Sequence, residues 1–443
     1  MPGKHLSPWT LAWFGSALLF LLASCGLALF GLIGPGDWSQ GAGLAVVHLF
    51  TLGWLCQVML GALIQFVPVL AARPLAAPSL ALPALIAISL GTAALAAGFE
   101  VFDGHDAMTT LLLTAPVAIG TGFALVAVMV GGTLLNRASL SIDGSRLVLL
   151  ALVALAGLWL SGTAMVLTLS GSLAVDLGQA LPLHILFGIG GWLSLAAFGV
   201  SYKLFAMFLL APENSGALRR AVFLTATIAA ALLLAGLLAL LTGVSASLTL
   251  GLTIALLPVV AALYLSDIAL LWRSRRRAVP ETNMLWSRAA LVFLGLAACL
   301  ALPGWVVGGV WAEAAIFVAL VGWLSTLTLA QMVKIVSFLT WIQIFAPRIG
   351  RRPVPMVHQL TDAKRVGIWL ALWSAGALLG TLALLLASAG AFRLAVALLT
   401  IAVLGIIREL VAIRHLAHLA PESRPARLPP LVLPSFNPDL AES

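Results

Sequence analysis

GLAVVHLFTLGWLCQVMLGALIQFVPVL, residues 43–70, runs for 28 positions without an Asp, Glu, Lys or Arg and carries one histidine, His48. A helix of that length outspans the roughly 30 Å hydrocarbon core of a bilayer at about 1.5 Å per residue. Its apolar positions are continuous, whereas a membrane barrel strand would alternate. Stretches of the same kind recur at 9–33, 77–99, 108–135, 147–171, 181–210, 218–242, 246–271, 288–308, 313–345, 365–388 and 392–413. The expectation is an all-α integral membrane protein, a twelve-helix bundle. Composition agrees: the chain is 62% hydrophobic and 9% charged, against about 25% charged in soluble domains.

A net charge of +8 would suit a nucleic-acid partner, but its distribution argues otherwise. Numbering the spans puts Lys4, Arg73, Arg137, Arg146, Arg219, Arg220, the Arg273–Arg277 run, Arg348, Arg351, Arg352, Lys364, Arg365, Arg408, Arg414, Arg424 and Arg427 on one side. The other side has Arg393 among Asp37, Glu100, Asp103, Asp106, Asp176 and Glu313. This positive-inside asymmetry predicts an even number of spans with both termini cytoplasmic, in a bacterial inner membrane. The partner it implies is the lipid bilayer, and no nucleic acid. The first apolar stretch is long enough to span, and its cleavage pattern is too poor for a signal peptide. Cys25, Cys56 and Cys299 all fall inside spans and read as buried apolar residues, not disulfides.

An internal repeat organises the bundle. The second span contains Gly53-Trp54-Leu55, then Gly61 and Gln65; the sixth contains Gly191-Trp192-Leu193, then Gly199 and Lys203. The tenth contains Gly322-Trp323-Leu324, then Ala330 and Lys334. A small residue follows the first glycine by eight positions and a polar one by twelve, in copies 138 and 131 residues apart. Three pseudo-repeats of four helices follow, near 1–145, 146–280 and 281–414, within a single transmembrane domain. A proline-rich cytoplasmic tail, 415–443, is expected to be extended or disordered.

Two histidines stand in these repeats. His48 lies five residues before its Gly-Trp pair and His184 seven before its own, both in the outer third of the membrane. Ionisable groups in a span are costly and mark sites, and neutral imidazole ligates haem iron, copper and zinc. The plain alternative is that each hydrogen-bonds a neighbouring helix. Gly188 and Gly191 share the His184 face at α-helical spacing. They leave a strip where a flat macrocycle could lie, although close helix packing uses the same residues. The same spacing puts Met59 on the His48 face three turns deeper, and Cys56 about 80° away. Both read as core.

Gln65, Lys203 and Lys334 form a second constellation, a polar layer near the cytoplasmic side. A mid-membrane lysine costs about 2.5–3.5 kcal/mol on insertion scales. Snorkelling to the surface is the plain reading, and a proton or anion path in a twelve-span transporter or channel is the functional one. Asp267, late in the eighth span, could pair with either lysine or sit at the helix end. His105, in the acidic loop EVFDGHDAM, and His358, His415 and His418 carry weaker signals. Nucleotide-binding, zinc-protease and hydrolase motifs are absent from the sequence.

The segments HLFTLGWLCQVMLGALIQFVPVL and HILFGIGGWLSLAAFGVSYKLFAMF, with twelve spans in three repeats, resemble the haem-copper oxidase subunit I superfamily, including its nitric oxide reductase-like and nitric-oxide-response members. The resemblance implies a haem role for His48 and a copper, hence metal, role for His184. It also implies a respiratory-complex or cytochrome partner. The catalytic members carry a histidine pair on helix seven and an HxH on helix ten. Here the seventh span has no histidine, and the tenth has Ala315 and Phe317 at that depth. The second axial ligand of a low-spin haem is also missing from this set. The expectation is a relative with a reduced site: one haem b, copper or other metal, or no cofactor at all, in a redox, gas-response or assembly role and not as a terminal oxidase.

Overall fold

The computed structural model describes residues 9–212, 216–351, 353–425 and 428–432. Lys4, Arg352, Arg427 and the tail beyond Val432 lie outside the described residues, as does the Asp103 side chain. Twelve described helices are long and apolar enough to cross a membrane. They are α1 Thr10–Leu29, α2 Gly41–Ala71, α3 Pro78–Phe102, α4 Asp106–Leu134, α5 Asp143–Leu169 and α6 Leu177–Leu209. After them come α7 Ala217–Leu241, α8 Ser247–Arg273, α9 Thr282–Val307, α10 Gly309–Ile344, α11 Ala363–Leu385 and α12 Ala389–Arg414. The end where α1 begins and α12 finishes carries the arginines and is called the basic end below.

Burial divides these helices into two shells. The most apolar window of α2, α6 and α10 is 89, 72 and 89% buried, against 28–50% in the other nine. The inner helices are therefore those that bear the Gly-Trp-Leu triplets. The glycines are why they can be inner: a Cβ on Gly53 would lie 2.5 Å from Phe20 of α1, on Gly191 2.7 Å from Ala154 of α5, and on Gly322 2.7 Å from Phe293 of α9. In each repeat the triplet glycine admits the preceding helix. This is small-residue packing, the way membrane helices approach without a hydrophobic drive between them.

All three inner helices widen at the same place. Leu49–Cys56, Leu186–Leu193 and Val318–Ser325 are π-helical, each eight residues long with the triplet near its end. A π turn holds about 4.4 residues instead of 3.6, so residues beyond it are rotated from their α-helical expectation. Met59 lines the central axis. Gln57 comes round to Ser89 of α3, at 3.3 Å. The α3 helix also supplies Phe99 against His48.

The triplet tryptophans close a ring around that axis. Trp54 Nε1 donates to Ser325 Oγ at 3.0 Å, and Trp323 Nε1 to Ser194 Oγ at 3.5 Å. Both acceptors follow their own triplet directly; the corresponding residue in α2 is Cys56. Trp192 lies beside that thiol, yet its indole N–H has no formed hydrogen bond. Two links are made and the third, to sulfur, is loose.

Part of the described chain beyond α12 packs against the bundle. Arg414, 3% exposed, donates to Thr340 and Gln343 at 2.9 Å and to the Pro430 carbonyl. Val432 reaches Gly15 of α1. The described part of the tail therefore folds back across the basic end.

Candidate functional site

His48 and His184 face one another, with ring centroids 6.3 Å apart and planes inclined by 32°. Their helices bring them together through unequal offsets. Five and seven residues before equivalent glycines differ by two, or about 200° of an α-helix. His48 is thereby turned forward toward α3, where Phe99 lies 4.8 Å away between centroids. His184 is turned back toward α5, where its Cε1 is 3.0 Å from the place a Cβ on Gly162 would take. Gly162 is what lets the imidazole lie against that helix. The gap between α2 and α6, walled by α3 and α5, receives both rings. Each is only half-buried.

Hydrogen bonding fixes which nitrogen each ring offers. His48 Nδ1 lies 2.8 Å from the Leu44 carbonyl, which can only accept, so Nδ1 carries the proton. His184 Nδ1 lies 3.2 Å from Ser161 Oγ. That hydroxyl spends its one proton on the Leu158 carbonyl at 3.0 Å, so it accepts from Nδ1–H. Both rings are therefore held by Nδ1 and present Nε2 as a bare lone pair. Backbone and hydroxyl partners on one nitrogen that orient the other for a metal are the usual arrangement at histidine sites.

Imidazole nitrogens ligate metals at about 2.0 Å, so two rings at this centroid separation are near enough for both to reach one ion. The resemblance implies separate haem and copper roles for the two histidines; the fold brings them side by side. The Gly188–Gly191 strip is not the macrocycle's place, because Leu158 and Ala154 of α5 fill it: Cβ atoms there would meet them at 3.3 and 2.7 Å. Among the described residues no three His, Cys, Asp or Glu side chains are grouped for a metal.

The residues of the second constellation engage different neighbours. Gln65 accepts from Thr10 of α1 at 3.0 Å. Lys334 pairs with Glu281, which precedes α9, and stands 5.6 Å from the Phe208 ring centroid. Lys203 lies along Phe66, Val69 and Leu70 of α2. Two of these polar groups are thus tied to the start of the helix before their own. At Glu281, burial pushes the carboxyl up, but Lys334 and Arg277 beside it outweigh this and hold it below the usual glutamate range. Asp267 pairs with neither lysine. It accepts from Arg219 Nε of α7 at 3.1 Å, while that guanidinium caps the Tyr202 ring at 4.1 Å. His418 joins Glu409 at 3.1 Å, and His105 sits in a turn whose backbone N–H bonds to Glu100.

Sequence reasoning missed Ser161, Gly162 and Phe99, the side chains and the gap that orient the pair. Nothing in their spacing marks them. The unequal histidine offsets were the available signal.

The helices are arranged as in a solved haem-copper terminal oxidase. Among solved structures, the chain superposes on a haem-copper terminal oxidase, determined by cryo-electron microscopy as a dimer, with a TM-score of 0.58 over 98% of this chain and 87% of that one. Identity is 12%, so the likeness shows the fold. No family model matches the sequence. No curated protein matches it.

Proposed function

We propose that His48 and His184 together would hold one cofactor metal, haem b or a single copper-class ion, in a membrane protein that uses the oxidase fold without the oxidase's full ligand set. The observation that carries this is the pair of Nε2 lone pairs on rings 6.3 Å apart. Leu44 and Ser161 hold Nδ1 of the two imidazoles and so orient Nε2. The two rings are half-buried between α2 and α6, and Phe99 of α3 packs against His48. A metal bound there supplies one-electron chemistry or a place for a small gaseous ligand. The role is redox, nitric-oxide response or respiratory assembly, beside a respiratory complex or cytochrome. The basic end faces the cytoplasm of a bacterial inner membrane, as the arginine distribution favours.

The test is elemental analysis and an optical spectrum of purified protein, oxidised and dithionite-reduced, after expression with ample haem and copper. One iron or one copper per chain is expected, with a Soret band if the group is haem. A colourless preparation free of both metals overturns the proposal.

A further inference from the structure

Below the tryptophan ring, the three inner helices, with Phe14 of α1, line a partly open cavity of about 50 Å³ near the pseudo-threefold axis. Its wall repeats as the sequence does. Six residues after each triplet glycine stand Met59, Ala197 and Thr328, and nine after it Ala62, Val200 and Gln331. Alanine at two of these six positions is what leaves the void. Phe66, Leu204 and Ile335, thirteen after the glycines, line it toward the basic end.

The polar groups in the wall are already engaged. Thr328 Oγ1 donates to the Leu324 carbonyl of its own helix at 2.9 Å. Gln331 donates to Ser287 at 2.8 Å and accepts from Asn283 at 3.2 Å. A third lining residue, Ser201, has its hydroxyl 2.6 Å from the Tyr264 hydroxyl and donates to its own helix at the Phe198 carbonyl. A buried water needs two to four polar partners, and apolar voids that lack them stay dry and accept apolar guests. We infer that this axial cavity is a binding site for one small uncharged gas molecule of the diatomic class. The volume suits a two-atom guest, and the donors of the lining Thr328, Ser201 and Gln331 are already engaged. The inference is independent of the histidine pair, which lies beyond the tryptophan ring.

Xenon is the probe, because it matches such a guest in size and polarity and diffracts anomalously. Crystals of the full chain pressurised with xenon should show one anomalous peak on the axis between Met59 and Val200. Ala197→Leu and Ala62→Leu, made separately so that one may fail to fold, should each abolish that peak. Any peaks at the protein–lipid boundary should persist in both. No axial peak in the wild type, ordered water in its place, or a peak that survives both substitutions overturns the inference.

Discussion

Between α2 and α6, the positions five and seven residues before the triplet glycines hold His48 and His184; between α10 and α2 the same positions hold Phe317 and Val46. The forward-facing Phe317 is 5% exposed, packs edge-on to Phe392 at 5.7 Å, and fills the space left by Gly380. In the third gap, between α6 and α10, these positions hold Leu186 and Ala315. The fold can therefore place apolar side chains here, and twice does so. Two imidazoles with bare Nε2 atoms are not needed to hold the helices together, and that is the reason to look for what they bind.

The sharpest way to break the comparison is to remove one ring at a time. His48→Ala and His184→Ala should each take the metal content from one per chain to none, because both rings ligate the same ion. Elemental analysis of the two variants decides it, and a partial loss in either would return the histidines to separate sites. Next in size is the sealed gap. Phe317→Ala should destabilise the bundle by about 3 kcal/mol, as large-to-small core changes do. His48→Ala, made in cofactor-free protein, should cost under about 1 kcal/mol for a half-buried ring. Unfolding in mixed micelles measures both, and equal losses would mean that the imidazoles are packing residues.

Smaller effects test the threefold frame itself. Ser325→Ala removes the acceptor of Trp54 and should cost about 1 kcal/mol, whereas Cys56→Ala should cost little, since the Trp192 link is not formed. The smallest effect depends on acidity. Glu281 is held below the usual glutamate range, so its pairing with Lys334 stabilises the protein fully above that range. The contribution is lost as pH falls through it toward the lowered folded value. Melting curves taken downward through that range should show the loss in the wild type, and Glu281→Gln should flatten it.

Much of this was legible before any coordinates. Span positions followed from apolar run length, because a bilayer leaves the backbone little choice, and the Gly-Trp-Leu spacing marked the three helices that burial then showed to be inner. What was not legible lies where local winding departs from 3.6 residues per turn. The π segments put Met59 on the axis and Gln57 near α3, and no residue type in Leu49–Cys56 announces that change. Pairing across helices was equally hidden. Asp267 finds Arg219 and Lys334 finds Glu281, choices set by helix neighbours that spacing alone does not name. The histidine pair lay between these cases: its offsets were visible, but their meaning required knowing which way each helix faces.

Those offsets also bear on descent. A unit of four helices copied three times repeats every position, so a histidine in one place would appear three times, always looking the same way around the ring. A facing couple in a single gap needs a forward residue from one copy and a backward residue from the next. The couple was therefore not delivered by triplication alone. Either an ancestor carried both histidines in every copy and four were later lost, or each of these two arose after the copies had gone their own ways.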